Sequence, residues 1–542
     1  MEGKSSSFGI PIHSGIVSLS KVKRSGWCQW VFSTVRTTAS DFDLNAKGLL
    51  IGRLAVNPRS LLAIFNPWVR SVDACKAFWG KRESPLIRLP KVIHAAIFAP
   101  TGGGKGASFA IPHLLSCPDS MVVVDFKGEN YRATAEARRK MGHEIVALDP
   151  FHVVTENPGT FNPLDFISAD SFIALDECRD LANALVARTG NEKDPHWCDA
   201  AEMYIGGIAS FIVEHAPPDD RSLQTCRGIL ADPEELEAAV QVMRQSEAWQ
   251  GMLARLGSQL TNFRDKELSS TLTTTGRFLR FLDTLAIAES TKKSSFDPAD
   301  LLTGKLTVYL VLPPEHMRAQ SPLLRMWIGS LLRAVVRGGL RERNPVHFVI
   351  DEAASLGHMD CLDDAVDKYR GYMVRLLLFY QSTGQLKKSW PEGGDQTLLS
   401  NCSTVFFAVN DYPTAEYVSN RLGEKTIVVE SGGTSSGRSR STPDYGAASA
   451  SLSRNSNDNW SQMARRILKP EEILGLDERQ AITFTPGVPP ILTTLTRYYE
   501  NKESRWKWLA QVKMFFNCLG LFIAALIVVL ALLGINIHQH VR

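Results

Sequence analysis

Along this chain the spacing of apolar positions changes twice. From Lys91 to Asp165, short β-branched and aliphatic runs such as VIHAAIF and MVVVD alternate with helix-like segments, the pattern of a parallel α/β sheet. Between 168 and about 297 the strand-like runs stop. FIALDECRDLANALVA, CDAAEMYIGGIASFIVEH and PEELEAAVQVMRQSEAWQGMLARL read as helices, which predicts an all-α insertion. Strand signals return at LTVYLVLPP (306–314), HFVID (347–351), VRLLLFYQ (374–381) and STVFFAVN (403–410). The sheet is thus expected to be interrupted and resumed. Residues 431–460 are rich in Ser, Gly and Asn and read as a mobile loop. QAITFTPGVPPILTTLTRYY beyond them reads as a Pro-interrupted pair of strands at the sheet's edge.

The C-terminus follows a different pattern. From Met514 to Val541 there is no Asp, Glu, Lys or Arg, and CLGLFIAALIVVLALLGI is nearly unbroken hydrocarbon, long enough for the ~20 helical residues that cross a bilayer. Lys502, Arg505, Lys507 and Lys513 precede it, with Trp506 and Trp508 at interface depth. The expected arrangement is one transmembrane helix with everything upstream in the cytoplasm.

Composition narrows the picture a little further. The 542 residues are 44% hydrophobic, ample for buried cores and unlike a disordered chain. Lys and Arg number 60 against 57 Asp and Glu, a net charge of +3; any nucleic-acid contact must come from local clustering. Nine cysteines are scattered, with no CxxC pair, which argues against a disulfide scaffold or a zinc ribbon.

Chemistry concentrates in two places. VIHAAIFAPTGGGKGASFAIPHLL places a strand, a glycine-rich turn and then a helix, the context a phosphate cradle requires. The backbone of Thr101, Gly102, Gly103, Gly104, Lys105, Gly106 and Ala107 would approach phosphate oxygens. Lys105 would neutralise their charge, and the helix N-terminus would add its partial positive charge. The stricter pattern has glycine where Ala99 stands and a Mg²⁺-ligating hydroxyl where Gly106 stands, and the same residues alone also suit an ordinary tight turn. The second place is VHFVIDE, an apolar strand ending in two carboxylates: Asp351 to hold the water shell of Mg²⁺, Glu352 to take a proton from attacking water. An acidic pair at a strand end is otherwise a common helix cap. Gln381 ends the apolar run VRLLLFYQ, where its amide is placed to orient that water.

These residues resemble the type IV secretion system coupling proteins, the RecA-like P-loop ATPases of conjugative DNA transfer. The resemblance runs from about Ala46 to Tyr499, through APTGGGKGASFAIPHLL, VVVDFKGENYRAT, LDPF with FNPLD, DPHW, VYLVLPP, FVIDEAASLG, KYRGYMVRLLLFYQSTGQL and NDYPTAEYVSNRLG. It implies a homo-hexamer that uses ATP and Mg²⁺ to move single-stranded DNA with its bound relaxase into a secretion channel; a recruiting platform for protein effectors with weak or no hydrolysis is the alternative. It also implies a trans-acting arginine, matched here by Arg370. Under this reading 1–85 has no assigned fold, 86–167 and 298–500 form the nucleotide-binding domain, 168–297 is the all-α domain, and 501–542 is the anchor. An anchor at the C-terminus departs from the family, whose transmembrane helices are commonly N-terminal.

Overall fold

The computed structural model describes residues 36–38, 49–54, 86–89, 92–188, 194–390, 393–441 and 449–500. The apolar stretch 514–541 lies outside them; among the described residues no helix is long and apolar enough to cross a membrane.

Strands β1 (Arg36–Thr38), β2 (Leu49–Leu54), β3 (Leu86–Leu89), β4 (His94–Phe98), β5 (Ser120–Asp125), β6 (Glu144–Leu148), β7 (Leu306–Val311), β8 (Val346–Ile350), β9 (Val374–Tyr380), β10 (Cys402–Phe407), β13 (Gln480–Thr485) and β14 (Val488–Thr494) join in one sheet, in the order β1-β3-β2-β14-β13-β10-β4-β9-β8-β5-β7-β6. From β6 to β10 every pairing is parallel; from β10 to β1 every pairing is antiparallel. Strands β4, β5, β7 and β10 are buried along their whole length. They read as continuous apolar runs because a parallel sheet is covered on both faces.

Alternate residues feed two separate cores, as the period of two requires. Ala96, Phe98, Val122 and Val124 face a core continuous with the helical insertion. Ala95, Ile97, Met121 and Val123 face a second core closed by Phe109, Leu114 and Ala135. The insertion's helices run from Ala174 to Lys292. Its seam with the sheet is Asn162, whose buried Nδ2 donates to Asp165 Oδ1 (2.9 Å), Arg221 O (2.7 Å) and Lys292 O (3.3 Å). Phe161 beside it stacks on Phe166 and packs at a tilt against Phe296. The block FNPLD thus ties both ends of the insertion to the sheet.

Two expectations are corrected. The strands of QAITFTPGVPPILTTLTRYY are interior, between β10 and β2, and not at the edge. Pro489 and Pro490 are tolerated because β14 meets β2 only at Thr493 and Thr494, beyond the prolines, and its ladder with β13 shifts register between Thr483 and Thr485. Of the stretch 431–460, read as a mobile loop, residues 431–441 and 449–460 lie in a two-stranded antiparallel ribbon, β11 (Glu424–Ser441) with β12 (Ser449–Arg466). The apolar Thr426–Val429 pairs with Ser461–Ala464 at its base, and the ladder supplies partners to a polar backbone that composition alone reads as loop.

Candidate nucleotide site

The chain turns immediately after β4. Ala99 N donates to Tyr380 O at the end of β9 (3.1 Å), and Gly103 N closes the turn on Pro100 O (3.1 Å). Gly102 and Gly104 have φ of 83° and 92°, where a side chain is strained. A Cβ on Gly103 would lie 3.2 Å from Pro100 O and 3.4 Å from the Cβ atoms of Ala99 and Ala408. The backbone therefore demands glycine at 102 and 104, and close packing favours it at 103. Ala99 adopts no positive φ, so a methyl is accommodated where the stricter motif has glycine.

The helix that follows opens as a π turn, Gly106–Ala110, and continues as Ile111–Ser116. Lys105 stands at its head, buried, with Nζ donating to Ala99 O (2.8 Å). Burial pulls its pKa below the usual lysine value, and the carboxylates of Asp351 and Glu352 oppose the shift. A Cβ on Gly106 would meet nothing within 4 Å, so the missing hydroxyl is not forced by crowding. Ser108 is buried beneath the loop, its Oγ 3.7 Å from where a Gly104 Cβ would lie.

The two carboxylates arrive from β8, which is separated from β4 by β9 alone. At ~4.8 Å per strand this sets Asp351 and Glu352 about 10 Å to one side of the loop, with Gln381 at the end of the strand between. Gln381 Nε2 donates to Glu352 Oε1 (3.4 Å), so the amide and the second carboxylate are brought together. Glu352 takes a left-handed conformation, φ 51° and ψ 52°, uncommon for a residue with a Cβ and found chiefly where surrounding structure holds it. Burial pushes the Asp351 carboxyl up to about 6; Lys105 opposes, while Glu352 and Asp125 add to the shift. Asp125 ends β5 and caps its own turn, Oδ2 accepting from Tyr131 N (2.8 Å).

A largely buried acidic group short of positive charge, with two further carboxylates near it, is a donor set that suits a hard divalent cation such as Mg²⁺. The cradle beside it suits a triphosphate: open backbone N–H groups, a lysine and a helix N-terminus. Thr101 is exposed at the tip of the turn and Ala107 lies partly buried behind it.

Arg370 is not in this crevice. It is exposed and precedes β9, at the amino edge of the sheet, where with Ile93, Asn344 and Arg375 it lines a cavity of about 660 Å³. The seven residues of β9 span about 23 Å, so a protomer's Arg370 is out of reach of its own loop. The sequence reading missed a different arginine. Tyr498 N donates to Ala107 O (3.1 Å), which docks the segment after β14 on the loop and brings Arg497 Nε and Nη2 within 3.7 Å of a Cβ placed on Gly104. Only the strand order could reveal it, because nearly four hundred residues separate the two in sequence.

Comparisons with known proteins identify the family and the fold. The family model for type IV secretory system conjugative DNA transfer matches residues 44–518. The type IV secretion system-coupling protein VirD4 of Bartonella quintana (strain Toulouse) is 28% identical over 442 residues, covering 79% of this chain and 67% of the relative. The conjugal transfer protein TraG of Rhizobium radiobacter is 28% identical over 411 residues, 73% of this chain and 61% of that protein. The fold is that of the bacterial conjugative coupling protein TrwBΔN70 in its unbound monoclinic form, with a TM-score of 0.55, 18% identity, and 74% of this chain and 84% of that chain covered. TrwB solved with ADP and Mg²⁺ gives a TM-score of 0.55 at 17% identity over 76% and 87%. With the match spanning most of its length and the glycine turn and carboxylate pair facing each other, this chain belongs to the type IV secretory system conjugative DNA transfer family.

Proposed function

We propose that this chain is an ATP-driven coupling protein that recruits single-stranded DNA with its bound relaxase and moves it to the channel of a type IV secretion or conjugation system. The observation that carries the reading is the convergence of Lys105, the glycine turn, Asp351, Glu352 and Gln381 at the carboxyl ends of three neighbouring strands. Lys105 and the backbone of 101–107 bind the β- and γ-phosphates. Asp351 would hold Mg²⁺, through water where Gly106 offers no hydroxyl, and the ion would offset phosphate charge. Glu352 accepts the proton of the attacking water, and Gln381, hydrogen-bonded to it, fixes that water's direction. Arg497 adds a second positive charge at the loop in cis.

The placement of Arg370 at the opposite edge supports a ring, proposed as a homo-hexamer, in which it serves the neighbour's site as the trans arginine. Proposed attachment to the inner membrane rests on the apolar stretch 514–541; a chain ending at Glu503 that still fractionates with membranes at high salt would contradict it. The decisive test of the function is ATP turnover of that truncated chain with and without single-stranded DNA. Stimulation by DNA, abolished in Lys105→Ala, is expected. Turnover that ignores DNA while secreted effector proteins still bind would favour the recruiting platform instead.

A further inference from the structure

At the edge of the sheet opposite the glycine turn, four side chains with metal-binding atoms meet. His113 and Cys117 lie one helical turn apart at the end of Ile111–Ser116, Asp119 follows two residues on, and His347 comes from β8. His347 Nε2 is 3.6 Å from Cys117 Sγ and 3.4 Å from Asp119 Oδ2, and the two acidic atoms are 3.5 Å apart. Those are the three edges of one face of a tetrahedron around a zinc ion: bonds of about 2.0–2.1 Å to N or O and about 2.3 Å to S put ligand atoms about 3.3–3.6 Å apart. His113 Nε2 stands 3.2 Å from the other nitrogen of the His347 ring, and the ligand atoms of His113, Cys117 and His347 all lie within 4.8 Å of one another.

His113 holds the other side of the His347 ring. It is 5% exposed, and its Nε2 meets the His347 nitrogen turned away from Cys117 and Asp119, which fixes the ring that presents Nε2 to them. The loop itself is held by Arg138, whose guanidinium donates to Leu114 O (2.9 Å) and Cys117 O (2.8 Å) and to Asp119 O. The carbonyls are thereby occupied and the side chains are left to converge.

We propose that Cys117, Asp119 and His347 bind one Zn²⁺, with His113 orienting the His347 ring from its other nitrogen, and that the ion staples the helix after the glycine turn to the strand bearing Asp351 and Glu352. A thiolate and a carboxylate neutralise the ion, and the thiol proton leaves to solvent on binding. The site lies at the amino edge of the sheet and contributes nothing to the phosphate crevice directly; its effect is to fix the spacing of the two elements that form it. Sequence inspection passes over it because the ligands follow no CxxC spacing and the third is over two hundred residues away.

The test uses the full chain purified in detergent, stripped with a chelator and titrated with Co²⁺ as the probe. Expected is one equivalent bound, with the intense visible bands of four-coordinate cobalt and a thiolate-to-metal charge-transfer band in the near ultraviolet. Cys117→Ser should lose the charge-transfer band, His347→Gln should weaken binding at least tenfold, and Cys226→Ser, buried in the helical insertion, should change neither. Chelation should lower the melting temperature of the wild type and leave that of Cys117→Ser unmoved. Cobalt bound only in six-coordinate form, or equal metal content in wild type and Cys117→Ser, would overturn the proposal. Should the variants not fold, the wild-type spectrum decides alone: a missing thiolate band rejects the site.

Discussion

At the level of single residues, the nucleotide site is governed by how much charge burial it tolerates. Asp351 has its folded pKa raised to about 6 by burial, above the ~3.9 of an unfolded aspartate. Below about pH 4 the group is protonated in both states; between pH 4 and 6 the unfolded chain releases its proton first, so this residue's contribution to stability is lost as pH rises. Asp351→Asn should therefore stabilise the nucleotide-free protein at pH 7.5 by about 1–3 kcal/mol, and by much less at pH 4. Chemical denaturation at both pH values checks this; equal shifts would place the origin elsewhere. The same residue predicts that Mg²⁺–ATP affinity weakens as pH falls below about 6, an effect absent in Asp351→Asn. Gly106 offers a second test, because open space around its Cβ position lets serine fold there. Gly106→Ser should increase the dependence of ATP binding on Mg²⁺, measured by calorimetry with and without the metal; identical dependence in both proteins would reject a water-mediated ion. Arg497→Ala should weaken ATP binding, raising KM about tenfold with kcat nearly kept, as a ground-state phosphate contact implies; a pure loss of kcat would assign it another role.

At the level of elements, strand order does what no motif spells out. β9 is inserted between β4 and β8, and this one feature sets the gap between cradle and carboxylates and delivers Gln381 into it. The strands β4, β5, β8, β9 and β10 were legible because burial on both faces leaves unbroken apolar runs, and the glycine turn and acidic pair were legible because they end such runs. Other features were not. The prolines of β14 read as an edge signal, yet their meaning depended on which stretch of β2 pairs with them. The ribbon β11–β12 has loop-like composition and owes its strands to pairing between two polar segments. Arg497 and the His113–Cys117–His347 cluster arise from contacts across hundreds of residues, which no local pattern encodes. Asn162 makes a testable hinge between elements: its amide joins Asp165, just before the insertion, to Arg221 within it and Lys292 near its end, so Asn162→Ala should cost about 1–3 kcal/mol. Hydrogen exchange should then rise first in residues 174–292; uniform loss of protection would show that the seam is not local.

For the whole molecule, the account rests on a site divided between protomers. The crevice at the carboxyl edge contains the glycine turn, the proposed base Glu352 and Gln381, proposed to orient the water, while the exposed Arg370 stands about 23 Å away at the opposite edge, where the proposed ring would place it at a neighbour. Removing its charge compensation should lower turnover roughly 10³- to 10⁵-fold with nucleotide affinity nearly unchanged. The most direct measurement mixes two inactive proteins, Arg370→Ala and Glu352→Gln, and follows ATP turnover against their ratio. Partial recovery, greatest near equal amounts, is predicted, because some interfaces then combine an intact base with an intact arginine. Turnover that stays at the level of either parent in fully exchanged rings would contradict a shared site.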